Sequence, residues 1–295
     1  MGSPPPPGFT ASSPEILPPE RESAGAQRQE WQVGGDPAPP QRRARRSWAY
    51  APATYLLVGI NCAVFLAMVL DHVSFMSPTG NQLYQWGATH PAAVLYGGQW
   101  IRVVTAMFVH VGIIHLATNM WCLWNLGLLG EPLLGPLGVL AAYVLSGAAG
   151  NLLSIGVNMA LHDQVVGAGA SGAVFGLAGV LIVLLKSPRL PIPPKELAGL
   201  RRNVIYFAVL NFIIGFGSSS VHLGVNIDNM AHLGGFIGGI IFALPLVPML
   251  GSPKRVFLLR RRIAVGLLTS VLVFFGFYLS AVFPRPATDP PSAQQ

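Results

Sequence analysis

Charge is scarce in this chain. Asp, Glu, Lys and Arg together make up 10% of its 295 residues, where a water-soluble domain carries about 25%. With 52% of residues apolar, the deficit argues against one water-excluded core under a charged surface. It implies helices that face lipid and pack on one another within a bilayer. Cysteine is nearly absent: Cys62 and Cys122 both fall in apolar runs and read as small packing residues, with no disulfide or metal pattern around them. No His-Glu-x-x-His occurs, so the helix-borne zinc hydrolase pattern is missing. His110 and His115 are five apart and do not share a helix face. No apolar run has a central Asp, which an aspartyl mechanism would need twice. The soluble-hydrolase elbow Gly-x-Ser-x-Gly fails at Ala173, and no strand precedes it. No metal and no cofactor are expected.

Long apolar runs are what the chain does have. Seven are long enough to span a membrane, at roughly 53–70, 111–129, 136–157, 169–186, 202–217, 229–250 and 263–283. The expected fold class is therefore all-α, a polytopic membrane helix bundle. No cleavable signal precedes the spans. Residues 1–46 read as a disordered Pro-rich tail, 47–250 as a six-span core, 251–262 as a basic loop, 263–283 as a seventh span and 284–295 as a short disordered tail. Basic residues cluster at Arg42–Arg46, at Lys186–Arg202 and at Lys254–Arg262, and the other loops hold almost none. Lys and Arg stay on the cytoplasmic side, so the N-terminus is expected inside and the C-terminus outside. The net charge of +7 then reflects topology and anionic lipid, and calls for no nucleic-acid partner. The first outer loop, 71–103, carries Tyr84, Trp86, Tyr96 and Trp100, residues that sit at headgroup level.

Counting from the inner ends brings four polar residues to one depth. Ser171 lies 15 residues before Lys186, or roughly 22 Å at 1.5 Å per residue. His115 and Asn119 come out roughly 22 and 16 Å above the end of their span, and His232 roughly 27 Å above Leu250. All lie in the outer half of a core about 30 Å thick, where a polar side chain facing lipid is costly. Gly172, Gly176 and Gly179 on one span, and Gly235 and Gly239 on another, have the spacing that lets backbones approach. Ser171 and His232 are the parts of a nucleophile–base pair. His115 and Asn119, one turn apart, are either helix–helix glue or, with the Ser171 N–H, donors toward an oxyanion.

These residues resemble the rhomboid intramembrane serine proteases. The likeness covers roughly Thr54 to Leu250. It rests on His110-Val-Gly-Ile-Ile-His115-Leu-Ala-Thr-Asn119, on Gly169-Ala170-Ser171-Gly172 and on Ala231-His232-Leu233-Gly234-Gly235, with Gly98-Gln99-Trp100-Ile101-Arg102 as a first-loop segment. The resemblance implies Ser171 as nucleophile and His232 as general base in a dyad without a third acid. It implies His115 and Asn119 at the oxyanion, and Phe175 packed on the catalytic histidine. His110, Gly169, Gly235 and Gly239 are supporting positions. The implied partners are transmembrane protein substrates in the bilayer, cleaved through an acyl-enzyme. The implied setting is a multi-pass protein of a bacterial plasma membrane. Phe212 and Phe216 are candidate substrate gates, and 217–227 a glycine- and serine-rich cap. The oligomeric state and the role of the seventh span stay open.

Two other classes compete. A catalytically inactive relative would lack the serine or histidine, and both are present. A transporter would show repeated halves or matching broken helices, and neither is visible. Asp228, one turn before His232, either orients the imidazole or, as favoured, caps the helix; Glu131 is expected as a structural anchor, and Arg102 to snorkel or to tie the first loop to the headgroups. His72, His90, His162 and His222 read as loop or interface residues.

Overall fold

The computed structural model describes residues 1–2, 50–187, 190, 193–220, 228–249 and 253–285, without the side chains of 214–220 and 248–249. The tails at 3–49 and 286–295 and the segment 221–227, with His222, lie outside the described residues. The described chain is helical, and its only bridge pairs Thr89 with Gly167. In order come α1 (Pro52–Leu70), α2 (Gly80–Gln85), α3 (Pro91–Leu95), α4 (Arg102–Thr105, continued as a 3-10 turn Ala106–Phe108), α5 (Ile113–Leu134), α6 (Pro136–Ala160), α7 (Ser171–Leu184), α8 (Pro194–Ser220), α9 (Asn229–Ala243, continued as 3-10 Leu244–Met249) and α10 (Lys254–Val282).

By length and composition, four helices among the described residues can cross a membrane: α1, α6, α9 with its extension, and α10. The stretch Arg102–Phe108 and α5, bent by 95° at the break between them, make a fifth if taken together. Seven were expected. α7 has 14 residues, and α8 carries Lys195, Glu196, Arg201 and Arg202 through its first turns. The basic stretch expected as a loop is mostly helix, because α10 starts at Lys254; Lys and Arg are good helix formers. The α-helix of the sixth run stops at Ala243, where Pro245 and Pro248 cannot donate the next bonds. The proposed cap at 217–227 begins as helix, since α8 runs to Ser220.

Local chemistry sets the element ends. α1 opens on Pro52, whose missing N–H costs nothing there. The next two N–H groups, of Ala53 and Thr54, donate to the carboxylate of Glu131 at 2.9 Å each, and the Thr54 hydroxyl donates at 2.7 Å. Glu131 is buried near the end of α5, so it ties α5 to α1 and satisfies orphan donors at the positive end of the α1 dipole. α5 and α6 are separated by Gly135, with φ 72°, and Pro136 starts the next helix.

The first loop is built from short capped helices. Thr79 and Gln82 form a capping box on α2, and His90 Nδ1 accepts the Ala93 N–H at 3.4 Å. Burial, and secondarily the Arg102 charge, lower the His90 pKa and favour its accepting neutral form. Arg102 holds the first loop together from within. Its guanidinium donates to the carbonyls of Tyr84 (2.6 Å) and Ala88 (2.9 Å) and lies 3.8 Å over the Tyr84 ring. It folds the loop onto itself. At the centre of the bundle α7 is almost wholly buried between α6 and α9. α10 packs outside, with Leu279 against Gly156 and Trp100 of the loop against Gly276.

Candidate active site

The backbone that delivers Ser171 is pinned before the helix begins. Thr89 and Gly167 exchange both backbone bonds, at 2.8 and 3.0 Å. The Gly169 N–H donates to the Ala106 carbonyl at 2.9 Å. Gly169 has φ 131°, a conformation open to glycine, and its α-carbon faces the His115 ring: a Cβ there would stand 2.6 Å from Cε1. Ala170 is fully buried, and Ser171 opens α7 half-exposed. The first N–H groups of a helix have no partner within it and carry the positive end of its dipole. Ser171 therefore places a hydroxyl and free N–H groups together.

α9 comes to α7 backbone against backbone. The Gly235 α-carbon lies on the Gly172 carbonyl, and that of Gly239 on the Gly176 carbonyl. A Cβ on Gly172 would stand 3.2 Å from the Ala231 carbonyl. Gly172 follows Ser171 and Ala231 precedes His232, so the serine and the histidine sit beside a direct contact. The glycines thus serve the close approach their spacing suggested.

His232 is buried. Its ring stacks on Phe175 with centroids 4.3 Å apart and planes 16° from parallel. Phe212 of α8 meets it edge-on at 6.1 Å and meets Phe175 at 4.7 Å. The imidazole plane is held by these rings, and its Nδ1 has no hydrogen-bond partner among the described residues. No hydrogen bond joins Ser171 to His232 among those residues; the pair is adjacent without being bonded.

α5 supplies the third wall. His115 Nδ1 accepts the Val111 N–H at 3.3 Å, which leaves its proton on Nε2 as a free donor. Asn119 is buried, and its amide donates to the His115 carbonyl at 2.8 Å. It is held to its own helix and keeps one further N–H. His110 is fully buried; its ring pairs with His115 at 5.5 Å, and Nδ1 contacts the Phe108 carbonyl at 3.2 Å. Ser171, His232, His115, Gly169, Phe175, Gly235 and Phe212 are thus brought together. Gly239 lies one turn deeper, and the side chain of Phe216 falls outside the described residues.

Sequence reasoning passed over α6. Ser146 packs on Gly176, the Gly150 α-carbon meets the Ala231 carbonyl, and Ser154 bonds Asp228. These three are four residues apart, the same small-residue spacing that was read only on α7 and α9. Asp228 caps α9 as expected, accepting the Ala231 N–H at 2.9 Å.

Comparison with known proteins gives a consistent family. The Rhomboid domain model matches residues 97–249. Rhomboid protease GluP of Bacillus subtilis is 31% identical over 225 residues, covering 76% of this chain and 40% of that protein. RHOMBOID-like protein 7 of Arabidopsis thaliana is 30% identical over 190 residues, 62% of this chain and 56% of its own length. Rhomboid-like protease 5 of Toxoplasma gondii is 34% identical over 181 residues, 59% and 19%. The match spans little more than half of these relatives at most. With the glycine-built contact of α7 and α9 and the match over 97–249, the chain belongs to the rhomboid family.

Proposed function

We propose that this protein is an intramembrane serine endopeptidase that cleaves transmembrane segments of membrane proteins. The observation that carries the reading is the glycine-to-carbonyl contact of α7 and α9. It sets Ser171, at the amino end of one helix, beside the ring-stacked His232 of the other. Two relatives named as proteases support it.

A substrate segment approaches from the lipid past α8, where Phe212 and Phe216 gate access. A helical peptide bond is shielded, so the scissile stretch must unwind. Rotation of the Ser171 side chain toward the imidazole makes the missing hydrogen bond. His232 then takes the Ser171 proton as the oxygen attacks the carbonyl carbon. The developing oxyanion meets the Ser171 N–H at the helix terminus, the His115 Nε2–H and the remaining Asn119 N–H. The amine leaves with the proton from His232, and water entering from the outer side hydrolyses the acyl-enzyme. No metal or cofactor takes part.

In this reading residues 47–250 form a six-span protease core with α7 and α8 as the spans that fall short by length and composition, and α10 is a seventh span. The N-terminus is cytoplasmic and the C-terminus lies outside, in a bacterial plasma membrane, with polar tails at 1–46 and 284–295.

A fluorophosphonate probe tests this. The native protein in detergent labels, and Ser171→Ala does not; equal labelling of both overturns the assignment. Cleavage of a generic transmembrane substrate, lost in His232→Ala, separates a protease from a binder. His115→Ala slows cleavage by about a hundredfold, the usual loss for one oxyanion donor.

A further inference from the structure

Asp228 makes bonds that capping alone does not need. Oδ1 accepts the Ala231 N–H at 2.9 Å and so caps α9. Oδ2 accepts the hydroxyl of Ser154, on α6, at 2.5 Å. Asn158 donates to the same Ser154 oxygen at 3.1 Å. Ser154 therefore accepts a hydrogen bond from Asn158 and donates its own hydroxyl to Asp228. On its other side Oδ2 faces Gly167, where a Cβ would stand 3.7 Å away. Gly167 is the residue bridged to Thr89, four before Ser171. The carboxylate thus stands where the outer end of α6, the first turn of α9 and the segment entering α7 converge.

We propose that Asp228 is a positioning residue for the Ser171–His232 pair. Through Oδ2 it clamps α9 to Ser154 of α6 and fixes the height and rotation of the first turn of α9. His232 lies one turn on, and its N–H donates to the Asp228 carbonyl at 3.1 Å, so any displacement of Asp228 is carried to the imidazole. Misplacing a reacting group by about 1 Å costs up to a hundredfold in rate. This inference rests on the serine-hydrolase reading of the same site.

The test uses the full chain in detergent and reads two quantities from fluorophosphonate labelling: the rate constant and the labelled fraction at the end point. Asp228→Asn keeps an oxygen for the cap but presents an amide where the Ser154 proton points. Ser154→Ala removes the donor and leaves the cap intact. Each slows labelling about tenfold at an unchanged end point, and the double variant is no slower than the worse single, because both break one bond. Asp228→Ala adds a loss of thermal stability as the cap goes. Native rate constants in Asp228→Asn and Ser154→Ala, or a loss confined to the end point, would reduce Asp228 to a cap and overturn the proposal. If the native protein fails to label, or Ser171→Ala labels equally, the serine-hydrolase reading falls and this inference falls with it. Failure of the inference alone shows as normal native labelling matched by Asp228→Asn.

Discussion

α7 and α8 reach the same histidine in opposite ways. α7 brings backbone: its carbonyls at Gly172 and Gly176 lie on the α-carbons of Gly235 and Gly239, and no side chain stands between the two helices there. α8 brings a ring: Phe212 meets His232 and Phe175 edge-on, while Ile205, Tyr206, Val209, Leu210 and Ile213 stay exposed. A backbone contact has no rotamer to change, so it holds one geometry or fails. An aromatic contact can rotate away and return. The first suits the alignment proposed for Ser171 and His232, and the second the gate proposed at Phe212.

The comparison can be broken most directly at the backbone side. Gly239→Val puts branched carbon onto the Gly176 carbonyl, and overpacking of this kind costs about 3 kcal/mol. The expected result is a sharply lowered melting temperature in detergent and loss of probe labelling; a normal melt would mean that α7 and α9 are free to separate. Glu131→Ala tests a second rigid junction. Losing the charged acceptor for the buried Ala53 and Thr54 N–H groups costs about 2 kcal/mol, read from the same melt. Phe212→Ala sharpens the other side. It is half-buried, so the stability loss is about 1 kcal/mol, while cleavage of a transmembrane substrate speeds up; slower cleavage with unchanged labelling would show Phe212 to be a substrate contact and not a gate. Phe274→Leu, on the exposed face of α10, should stay within about 0.5 kcal/mol of native, confirming that single side chains matter little where lipid is the neighbour.

The approach of α7 and α9 was legible because small residues every four positions report a face, and a face is all that close packing needs. Pairings between distant residues were not legible. Glu131 bonds residues 77 and 78 positions away, and Ser154 finds Asp228 across 74; no periodicity encodes such partners. Nor does any spacing mark the Tyr84 and Ala88 carbonyls and the Gln99 side-chain oxygen as the acceptors of Arg102. The start of α10 was missed because charge was treated as punctuation between spans. The depth of His232 was counted along an uninterrupted α-helix, but beyond Ala243 the chain tightens into 3-10 geometry, with a rise nearer 2.0 Å per residue.

The shortness of α7 has a further consequence. Fourteen residues make a rod of roughly 21 Å, against hydrocarbon about 30 Å deep. Such a mismatch is met by a thinner bilayer around the helix or by filling the gap with other chain. At the Ser171 end it is filled by non-helical backbone whose Gly167 and Gly169 amides find acceptors on the first loop and the 3-10 turn that follows α4. Irregular backbone persists at such depth where it is enclosed by protein or borders water. The missing turn and a half of helix is thus replaced by backbone tied to two neighbouring elements, so the chain enters Ser171 from a direction that those ties, and no preceding helical turn, decide.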